Sequence, residues 1–353
     1  MIKKVVVIIG ILLGIIILVL GLYLGYLTFK DYKPDPIEAL NVENNSEALI
    51  EENEELTVMT YNIGFGGMDE EVHFFMDGGS MSRGISEDKV NYNIDEVVKL
   101  LEESQSDIMM IQEVDLNSTR SFNVNQYESL KRGLKEYGAT YGINYDVPWI
   151  AYPIVEPHGK VVASQVNLAN RFMASSDRIA LPIDEKWPQR LVGLDRMMLV
   201  NRFSVSNGKE LVAINVHLSA YDKGGKIRKL QLDLVSEVLE EEYSKGNYVI
   251  IGGDWNQAIP GSDASIFDTE EEWPDWLVEI PETFAPKGFT WVFDGSIPTC
   301  RNAGKEYIEG YNFLSVIDGF MISDNIELID VQGIDTKFKY SDHNPVKMKI
   351  KLK

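Results

Sequence analysis

The stretch DIMMIQEVD, residues 107–115, decides the fold. Its unbroken apolar run is typical of a buried strand, and Glu113 stands where that strand leaves the core. The preceding residues, Asp88 to Glu103, place apolar side chains at helical spacing, at positions 90, 94, 97, 98 and 101. A buried strand that follows an amphipathic helix predicts stacked layers of secondary structure.

Other apolar runs extend this pattern in both directions along the chain. The segment LTVMTYNI, residues 56–63, predicts a strand that ends near Asn62 and marks the start of the fold. Further strands are predicted at 196–205, 211–218, 247–252, 316–322 and 345–351, and a helix at 226–243. Asn207-Gly208 predicts a hairpin turn. Strands and helices that cover one another indicate a layered sandwich.

Composition limits the classes of function. The 353 residues accommodate one catalytic domain of roughly 300 residues with an appendage. A hydrophobic content of 44% is enough for a sizeable core. The formal net charge of -22 opposes sequence-independent binding of nucleic acid, which depends on basic surface. Cys300 is the only cysteine, which excludes an intrachain disulfide and a cysteine zinc cluster, and it is given no role.

Residues 5–29 form an uncharged apolar run long enough to cross a bilayer. The run exceeds a signal-peptide core and lacks a small-residue cleavage site, which favours an uncleaved anchor over a cleaved signal. The N-terminal flank is short and a large domain follows, so we expect a single-pass protein of the cell membrane. Its N-terminus would be cytoplasmic and its catalytic domain outside.

The chain is therefore divided into three parts. Residues 1–30 are expected to be a cytoplasmic stub and transmembrane anchor. Residues 31–54 carry two prolines and many carboxylates, which predicts an extended, solvated acidic linker. Residues 55–353 are expected to be the catalytic domain.

Short polar blocks follow several apolar runs, at positions where rigid scaffolds present reactive groups. They are TYN (60–62), QEVD (112–115), NVHL (215–218), GGDWN (252–256), VIDGF (316–320) and SDHNP (341–345). In this order they resemble the endonuclease/exonuclease/phosphatase superfamily, which includes deoxyribonuclease I-like nucleases, inositol polyphosphate phosphatases and sphingomyelinases. The resemblance covers residues 56–351 and implies an α+β fold, a four-layered α/β/β/α sandwich.

The resemblance implies in-line attack of water on a phosphate ester with Mg²⁺ or Mn²⁺ bound. Glu113 is carried over as the principal metal carboxylate, and Asn62 and Asp342 as residues that support the metal or its waters. Hard oxygen ligands suit these ions, and a bound cation neutralises charge on a departing oxygen.

The same resemblance assigns the catalytic side chains. His343 is carried over as the histidine beside the attacking water or the phosphoryl group, oriented by Asp318. Asp254 and Asn256 match the pair that orients or deprotonates the water, and His217 matches a donor to a phosphate oxygen. Whether Asp254 or His343 is the general base stays open at this point.

Other residues have a less specific signal. Asn215 is expected to support the site structurally, and His73 and His158 are expected to be loop residues. Arg171 lies in LANRF, a segment similar to one common in the family, and it either braces the core or binds the substrate. Gly64 stands where nuclease members often carry an aspartate, which puts abasic-site nuclease activity and a second metal in doubt.

Tryptophans in 181–190 and 270–291 are candidates for a substrate rim, with buried loop packing as the alternative. The leading functional hypothesis is hydrolysis of a small or lipid-derived phosphodiester or phosphomonoester. A tethered extracellular nuclease is the second hypothesis and would require a basic stripe on the active-site face. A catalytically inactive surface-binding module is the third. The expected partners are the phosphate-ester substrate and the lipid bilayer, with no obligate protein partner.

Overall fold

The computed structural model describes residues 2–220, 222 and 225–353, and within them four α-helices and fifteen strands are formed. The helices are α1 (Ile2–Lys30), α2 (Glu87–Ser104), α3 (Gln126–Gly133) and α4 (Lys226–Ser244). The strands are β1 (Ile37–Ala39), β2 (Glu55–Asn62), β3 (Ile108–Asp115), β4 (Gly138–Ile150), β5 (Gly159–Ala169), β6 (Met173–Ala180), β7 (Met197–Ser204), β8 (Glu210–His217), β9 (Tyr248–Asp254), β10 (Phe289–Val292), β11 (Cys300–Arg301), β12 (Leu314–Ser315), β13 (Asp318–Ser323), β14 (Ile326–Gly333) and β15 (Val346–Leu352).

Two sheets form the middle of the molecule. One has six strands in the order β14-β15-β2-β3-β5-β4, and the other has seven in the order β1-β6-β7-β8-β9-β13-β10. The pairs β2–β3 and β8–β9 are parallel, whereas the other neighbours in these two sheets are antiparallel. The carboxyl ends of each parallel pair therefore meet at one edge of their sheet.

Alternation along each strand explains the layers. On β2, Leu56 and Val58 face the core between the sheets, whereas Met59 and Tyr61 face the outer layer. The outer face of the six-stranded sheet is covered by α2 and α3, and the outer face of the seven-stranded sheet by α4. The predicted four-layered α/β/β/α sandwich is confirmed.

A buried polar network joins the two sheets at the centre of this apolar core. Asn215 on β8 directs Nδ2 at Oδ1 of Asn167 (2.8 Å) and at the carbonyls of Ile111 and Val166 (3.2 Å each). Gln112 on β3 donates from Nε2 to Oδ1 of Asn215 (2.8 Å). These hydrogen bonds connect the seven-stranded sheet to the six-stranded one. Asn215 thus has the structural role expected for it.

The predicted elements from 56–63 onward are found within two residues of their expected bounds. The expected turn at Asn207-Gly208 joins β7 to β8, and Gly208 has the positive φ of 83° that this turn requires. The sequence analysis predicted no helix or strand in residues 130–160. This region contains the whole of β4, a strand of 13 residues that pairs with β5 along the sheet edge.

Residues 31–54 are not a detached solvated stalk, which corrects the expectation for the linker. β1 adds an edge strand beside β6, and the backbone of Glu43 pairs with that of Ala139. Ile50 is fully buried in the core between the sheets. The acidic composition did not indicate this packing, because the segment is attached by main-chain pairing and one fully buried isoleucine, neither of which produces an apolar pattern. We call residues 31–54 the strap.

Helix α1 is long and apolar enough to cross a membrane, and its most apolar part is exposed along its whole length. The same properties fit a signal sequence. Its last turns nevertheless contact the folded domain. Leu27 is 2% exposed, the Tyr23 hydroxyl donates to the carbonyl of Trp149 (3.0 Å), and Trp187 Nε1 donates to Thr28 Oγ1 (3.1 Å).

We expect Asn215→Leu to lower the free energy of unfolding by about 2–4 kcal/mol. The leucine would leave the buried side-chain Oδ1 of Asn167 without the donor that Asn215 supplies, and it would remove one of the three acceptors of the Gln112 amide. Urea unfolding of the full chain in detergent, followed by tryptophan fluorescence, measures the change. Asn91→Leu on the exposed face of α2 is the matched control, with a change within about 0.5 kcal/mol. An equally small change for Asn215→Leu would refute the importance of the network.

Candidate active site

Side chains from both sheets meet at one end of the sandwich. His217, Asp254 and Asp318 lie opposite one another on the adjacent strands β8, β9 and β13, so they form a row across the seven-stranded sheet. Asn62 and Glu113 come from the carboxyl ends of β2 and β3. Glu113, His217 and Asp254 line a cavity of about 880 Å³, which we call the cleft, whereas Asn62 and Asp318 contact residues that line it.

Glu113 reaches the cleft through a distortion of its strand. The register between β3 and β5 shifts between Ile111 and Val114, and Glu113 has a φ of 55° within this bulge. A bulge redirects a side chain out of the regular alternation. Burial raises the pKa of Glu113, the nearby Arg120 lowers it, and Asp342 raises it further. Glu113 and Asp342 therefore present two carboxylates to the same space.

Asn62 links two carboxylates of the site. Its Nδ2 donates to Glu113 Oε1 (3.2 Å) and to Asp254 Oδ2 (3.0 Å). Its Oδ1 accepts from the backbone N–H of Gly64 (3.0 Å), which holds the amide in this orientation. Asn62 therefore connects Glu113 on one sheet with Asp254 on the other.

His343 and Asp318 form a buried imidazole–carboxylate pair. His343 Nδ1 lies 2.8 Å from Asp318 Oδ2, and His343 Nε2 lies 3.7 Å from Asp254 Oδ2. Burial alone would lower the pKa of His343, but the two carboxylates outweigh it and raise the pKa well above its usual value. This arrangement favours a protonated imidazole.

His217 has the opposite electrostatic character. Its Nε2 lies 3.4 Å from Asp254 Oδ2 and 4.0 Å from Glu113 Oε1. Burial, followed by the positive charges of Arg196 and His343, lowers the pKa of His217 well below its usual value. The two histidines of the site are thus held in different protonation states, and the carboxylates around His217 favour a proton on Nε2.

Asp254 lies at the centre of these contacts. The backbone N–H of Asn256 donates to Asp254 Oδ1 (2.8 Å), and Asn256 Nδ2 donates to the carbonyl of Leu218 (2.8 Å). Burial raises the pKa of Asp254 to about 6, against the lowering effect of His343. A carboxyl group in this range can exchange a proton near neutral pH.

Sequence reasoning missed the three arginines that line the cleft, Arg120, Arg196 and Arg301, of which the first two lie close to Glu113 and His217. Arg120 forms a bidentate pair with Asp115, stacks over the ring of Phe65 at 4.0 Å, and lies 4.0 Å from Glu113. Arg196 is buried and donates to the carbonyl of His217 (3.1 Å). Neither lies in one of the polar blocks. The only feature of the sequence that could have indicated either residue is the position of a charged side chain, Arg196, directly before the apolar strand β7.

Arg171 is not part of the cleft, which corrects its assignment as a substrate-binding residue. It pairs with Glu54 (2.5 Å) and Asp107 (3.1 Å). Asp107 precedes β3, whereas Glu113 lies near the other end of that strand. Arg171 therefore braces the strap against the far end of the six-stranded sheet.

His158 lies in a loop, as expected, directly before β5, and its side chain is buried in the wall of the cleft. Its Nδ1 lies 2.7 Å from the carbonyl of Ser82, and burial lowers its pKa to about 3. Its ring packs on Phe74 and Phe75, with centroids 6.3 and 5.8 Å away. These contacts make His158 a neutral structural element of an aromatic wall.

Gly64 has no room for the aspartate found in some nuclease members. Its φ is +50°, and a Cβ atom there would lie 2.6 Å from Met68 Cβ and 2.9 Å from Asp342 Oδ1. Both the backbone conformation and the neighbours oppose a larger residue. The space beside Asp342 is thus closed to a further carboxylate from this position.

The donor set fits a hard divalent cation. Glu113 and Asp342 are partly exposed carboxylates in the same cleft, and each repels the other in the absence of a cation. Asp254, Asp318 and His343 also have ligand atoms within 4.8 Å of one another. Those three are buried, whereas Glu113 and Asp342 are partly exposed to the cleft, so Glu113 and Asp342 are the better pair for an ion.

Comparison with solved structures shows a shared fold. An endonuclease/exonuclease/phosphatase from Beutenbergia cavernae DSM 12333 is similar with a TM-score of 0.56 and 16% identity, over 84% of this chain and 72% of that one. A family protein from Bacteroides thetaiotaomicron gives 0.54 and 17%, over 85% and 95%. TDP2 from D. rerio, in complex with a single-strand DNA product, gives 0.54 and 14%, over 84% and 99%.

Comparison with curated protein sequences gave no significant match. The sequence model of the Endonuclease/Exonuclease/phosphatase family matches residues 59–343. That range contains all the cleft side chains described above, from Asn62 to His343. The chain therefore belongs to the Endonuclease/Exonuclease/phosphatase family.

Proposed function

We propose that this protein hydrolyses a phosphate ester with the help of a divalent cation, Mg²⁺ or Mn²⁺. The observation that carries the proposal is the continuous set of contacts from Glu113 through Asn62, Asp254 and His343 to Asp318, which spans both sheets. Members of the family generally act on phosphoester bonds, which supports this chemistry. The complete set of polar groups favours an enzyme over an inactive binding module.

Glu113 and Asp342 would hold the cation, and Asn62 would keep Glu113 in place through its amide. When bound, the ion supplies positive charge that stabilises the phosphoryl group and the departing oxygen. The guanidinium groups of Arg120 and Arg196 add fixed positive charge near the same end of the cleft. Asn62 would thus contribute by positioning the two carboxylates to which it donates hydrogen bonds, Glu113 and Asp254.

The protonation states favour Asp254 as the general base. His343 is held in its charged form by Asp318, so it is suited to bind a phosphoryl oxygen rather than to accept a proton. Asp254, positioned by the backbone of Asn256, would take a proton from water as the water oxygen attacks phosphorus. The bond from phosphorus to the ester oxygen would then break, and the departing oxygen would take a proton from solvent and leave as the alcohol. Neutral His217 would donate from Nε2 to a phosphoryl oxygen.

The charges of the cleft favour a small or lipid-derived ester over nucleic acid. Seven carboxylates and three arginines line it, and the described lining residues include no lysine. The carboxylates are Asp77, Glu113, Asp184, Glu185, Asp222, Asp254 and Asp342, and the arginines are Arg120, Arg196 and Arg301. A long polyanion needs a basic track, which this surface does not supply. The nuclease hypothesis is therefore second. Its support is the similar fold of TDP2 from D. rerio, which was solved with a single-strand DNA product.

We also propose that α1 is an uncleaved anchor in the cell membrane, with the N-terminus cytoplasmic and residues 55–353 as an external catalytic domain. The hydrogen bonds of Tyr23 and Thr28 to the folded domain support a retained helix, since cleavage after α1 would remove them. Residues 31–54 then belong structurally to the domain that they cover.

We expect the purified full chain to hydrolyse bis(p-nitrophenyl) phosphate with Mg²⁺ or Mn²⁺, and excess EDTA to abolish turnover. Glu113→Gln should lower kcat/KM by at least about 100-fold, because it removes the carboxylate that would hold the cation. Glu327→Gln, at an exposed position on β14, is the control and should retain activity. Turnover that persists in excess chelator would contradict the metal requirement.

A double-mutant cycle tests the pairing of His343 with Asp318. We expect His343→Ala to lower kcat by about 1,000-fold and Asp318→Asn by about 10–100-fold. The double variant should be about as slow as His343→Ala alone, because Asp318 acts through the histidine. Equal urea-unfolding midpoints would exclude a folding defect. Losses that multiply would show that Asp318 does not act as a positioning residue for His343.

A further inference from the structure

The C-terminal turns of α1 lie against the mouth of the cleft. A groove there is formed by Tyr23, Leu24 and Leu27 of the helix together with the end of β4 and the segment before β7. Four residues belong to the walls of both this groove and the cleft: Ile150, Tyr152, Gln189 and Val192. The cleft therefore opens beside the helix that is apolar enough to span a membrane.

An apolar loop, residues 151–156, projects next to this opening. Ile154 and Val155 at its tip are 86% and 98% exposed, and Tyr152 is 63% exposed. Across the groove, Trp187 is 60% exposed. Large apolar side chains grouped in this way are rarely left in water, and a group of them marks an interaction surface.

The dimensions of α1 place this surface at the level of a bilayer surface. The apolar run 5–29 is about 37 Å long at about 1.5 Å per residue, whereas the hydrocarbon layer is about 30 Å thick. The last turns of α1 therefore reach the headgroup region, where tyrosine and tryptophan are favoured. Tyr23 contacts Trp149 at this height, and Thr28 contacts Trp187.

The strap restricts movement of the domain away from this position. Glu38 and its neighbours on β1 pair with β6, and Ile50 is anchored in the core. Charge cannot hold the domain on an anionic membrane, because the chain carries a net charge of -22. Burial of apolar side chains is the remaining source of attraction to a bilayer.

We propose that the apolar loop inserts into the bilayer that α1 spans and that the substrate is a phosphate ester carried on a membrane lipid. This inference rests on the proposed function and names the substrate class of the same cleft. The phosphate would reach Glu113 and His217 at the inner end. The acyl chains of the bound lipid would extend out of the cleft along the apolar side chains at its mouth: Phe75, Met76, Ile150, Tyr152 and Val192.

The first test measures insertion without reference to catalysis. The full chain carrying Val155→Trp is reconstituted into phosphatidylcholine vesicles whose acyl chains are brominated near the headgroup. We expect the added fluorescence to be quenched by at least about half, since bromine quenches only on contact with the bilayer interior. The matched control is Ile329→Trp on β14, the sheet edge opposite to β4, and its added fluorescence should not be quenched.

The second test compares lipid and soluble substrates. The full chain in vesicles of phosphatidylcholine mixed with phosphatidylglycerol or phosphatidic acid should release water-soluble headgroup or phosphate. The double variant Ile154→Ser, Val155→Ser should lower this rate at least about tenfold and leave hydrolysis of bis(p-nitrophenyl) phosphate unchanged, because neither side chain lines the cleft.

The outcomes separate this inference from the proposed function. Hydrolysis of the soluble ester without lipid turnover, and with Val155→Trp unquenched, would overturn the inference and leave the proposed function standing. If the apolar loop instead binds another protein, Val155→Trp should also stay unquenched in protein-free vesicles, and this result would likewise overturn the inference. Quenching without turnover of any ester would overturn the proposed function and, with it, the lipid substrate.

Discussion

The candidate active site of this molecule depends on the relative position of two sheets. Glu113 and Asn62 belong to one sheet, and His217, Asp254 and Asp318 to the other. Apolar packing between sheets is strong but not directional, so it does not by itself fix their alignment to within a fraction of an ångström. The hydrogen bonds of Asn215 to the opposite sheet are directional, and they lie within two residues of both Glu113 and His217 along the strands. This polar network supplies the alignment that the site requires.

Burial then turns that alignment into distinct chemical roles. His343 and His217 are equally enclosed, yet their pKa values move in opposite directions. The difference arises from neighbours: His343 lies 2.8 Å from Asp318, whereas the nearest carboxylate oxygen to His217 is 3.4 Å away, and the charges of Arg196 and His343 lower the pKa of His217. Asp254 lies between the two rings and is the group left to exchange a proton near neutral pH. In the proposed mechanism, one buried cluster would thereby supply a cationic imidazole, a neutral donor and a base.

The sequence predicted those parts of the fold and site that depend on local pattern. Apolar runs ending in Asn62, Glu113, His217 and Asp254 located the strands and their exits, because a strand end is a local property. Arg120 and Arg196 were missed because their place in the cleft depends on tertiary contacts. The packing of 31–54 was missed for a related reason. Main-chain pairing at a sheet edge needs no apolar periodicity, and only Ile50, with the partly buried Val42, packs against the core between the sheets.

The packed strap also changes what the domain can reach. A disordered segment of 24 residues would let the domain move over about 27 Å r.m.s. from its anchor, enough to act on substrates in solution or on facing surfaces. The strap instead holds the domain at the end of α1, with the Tyr23 and Thr28 contacts setting its orientation. With α1 in a bilayer, the cleft then opens at a fixed height above the hydrocarbon. In that arrangement, access to Glu113 would be governed more by the membrane surface beside the cleft than by diffusion from bulk water.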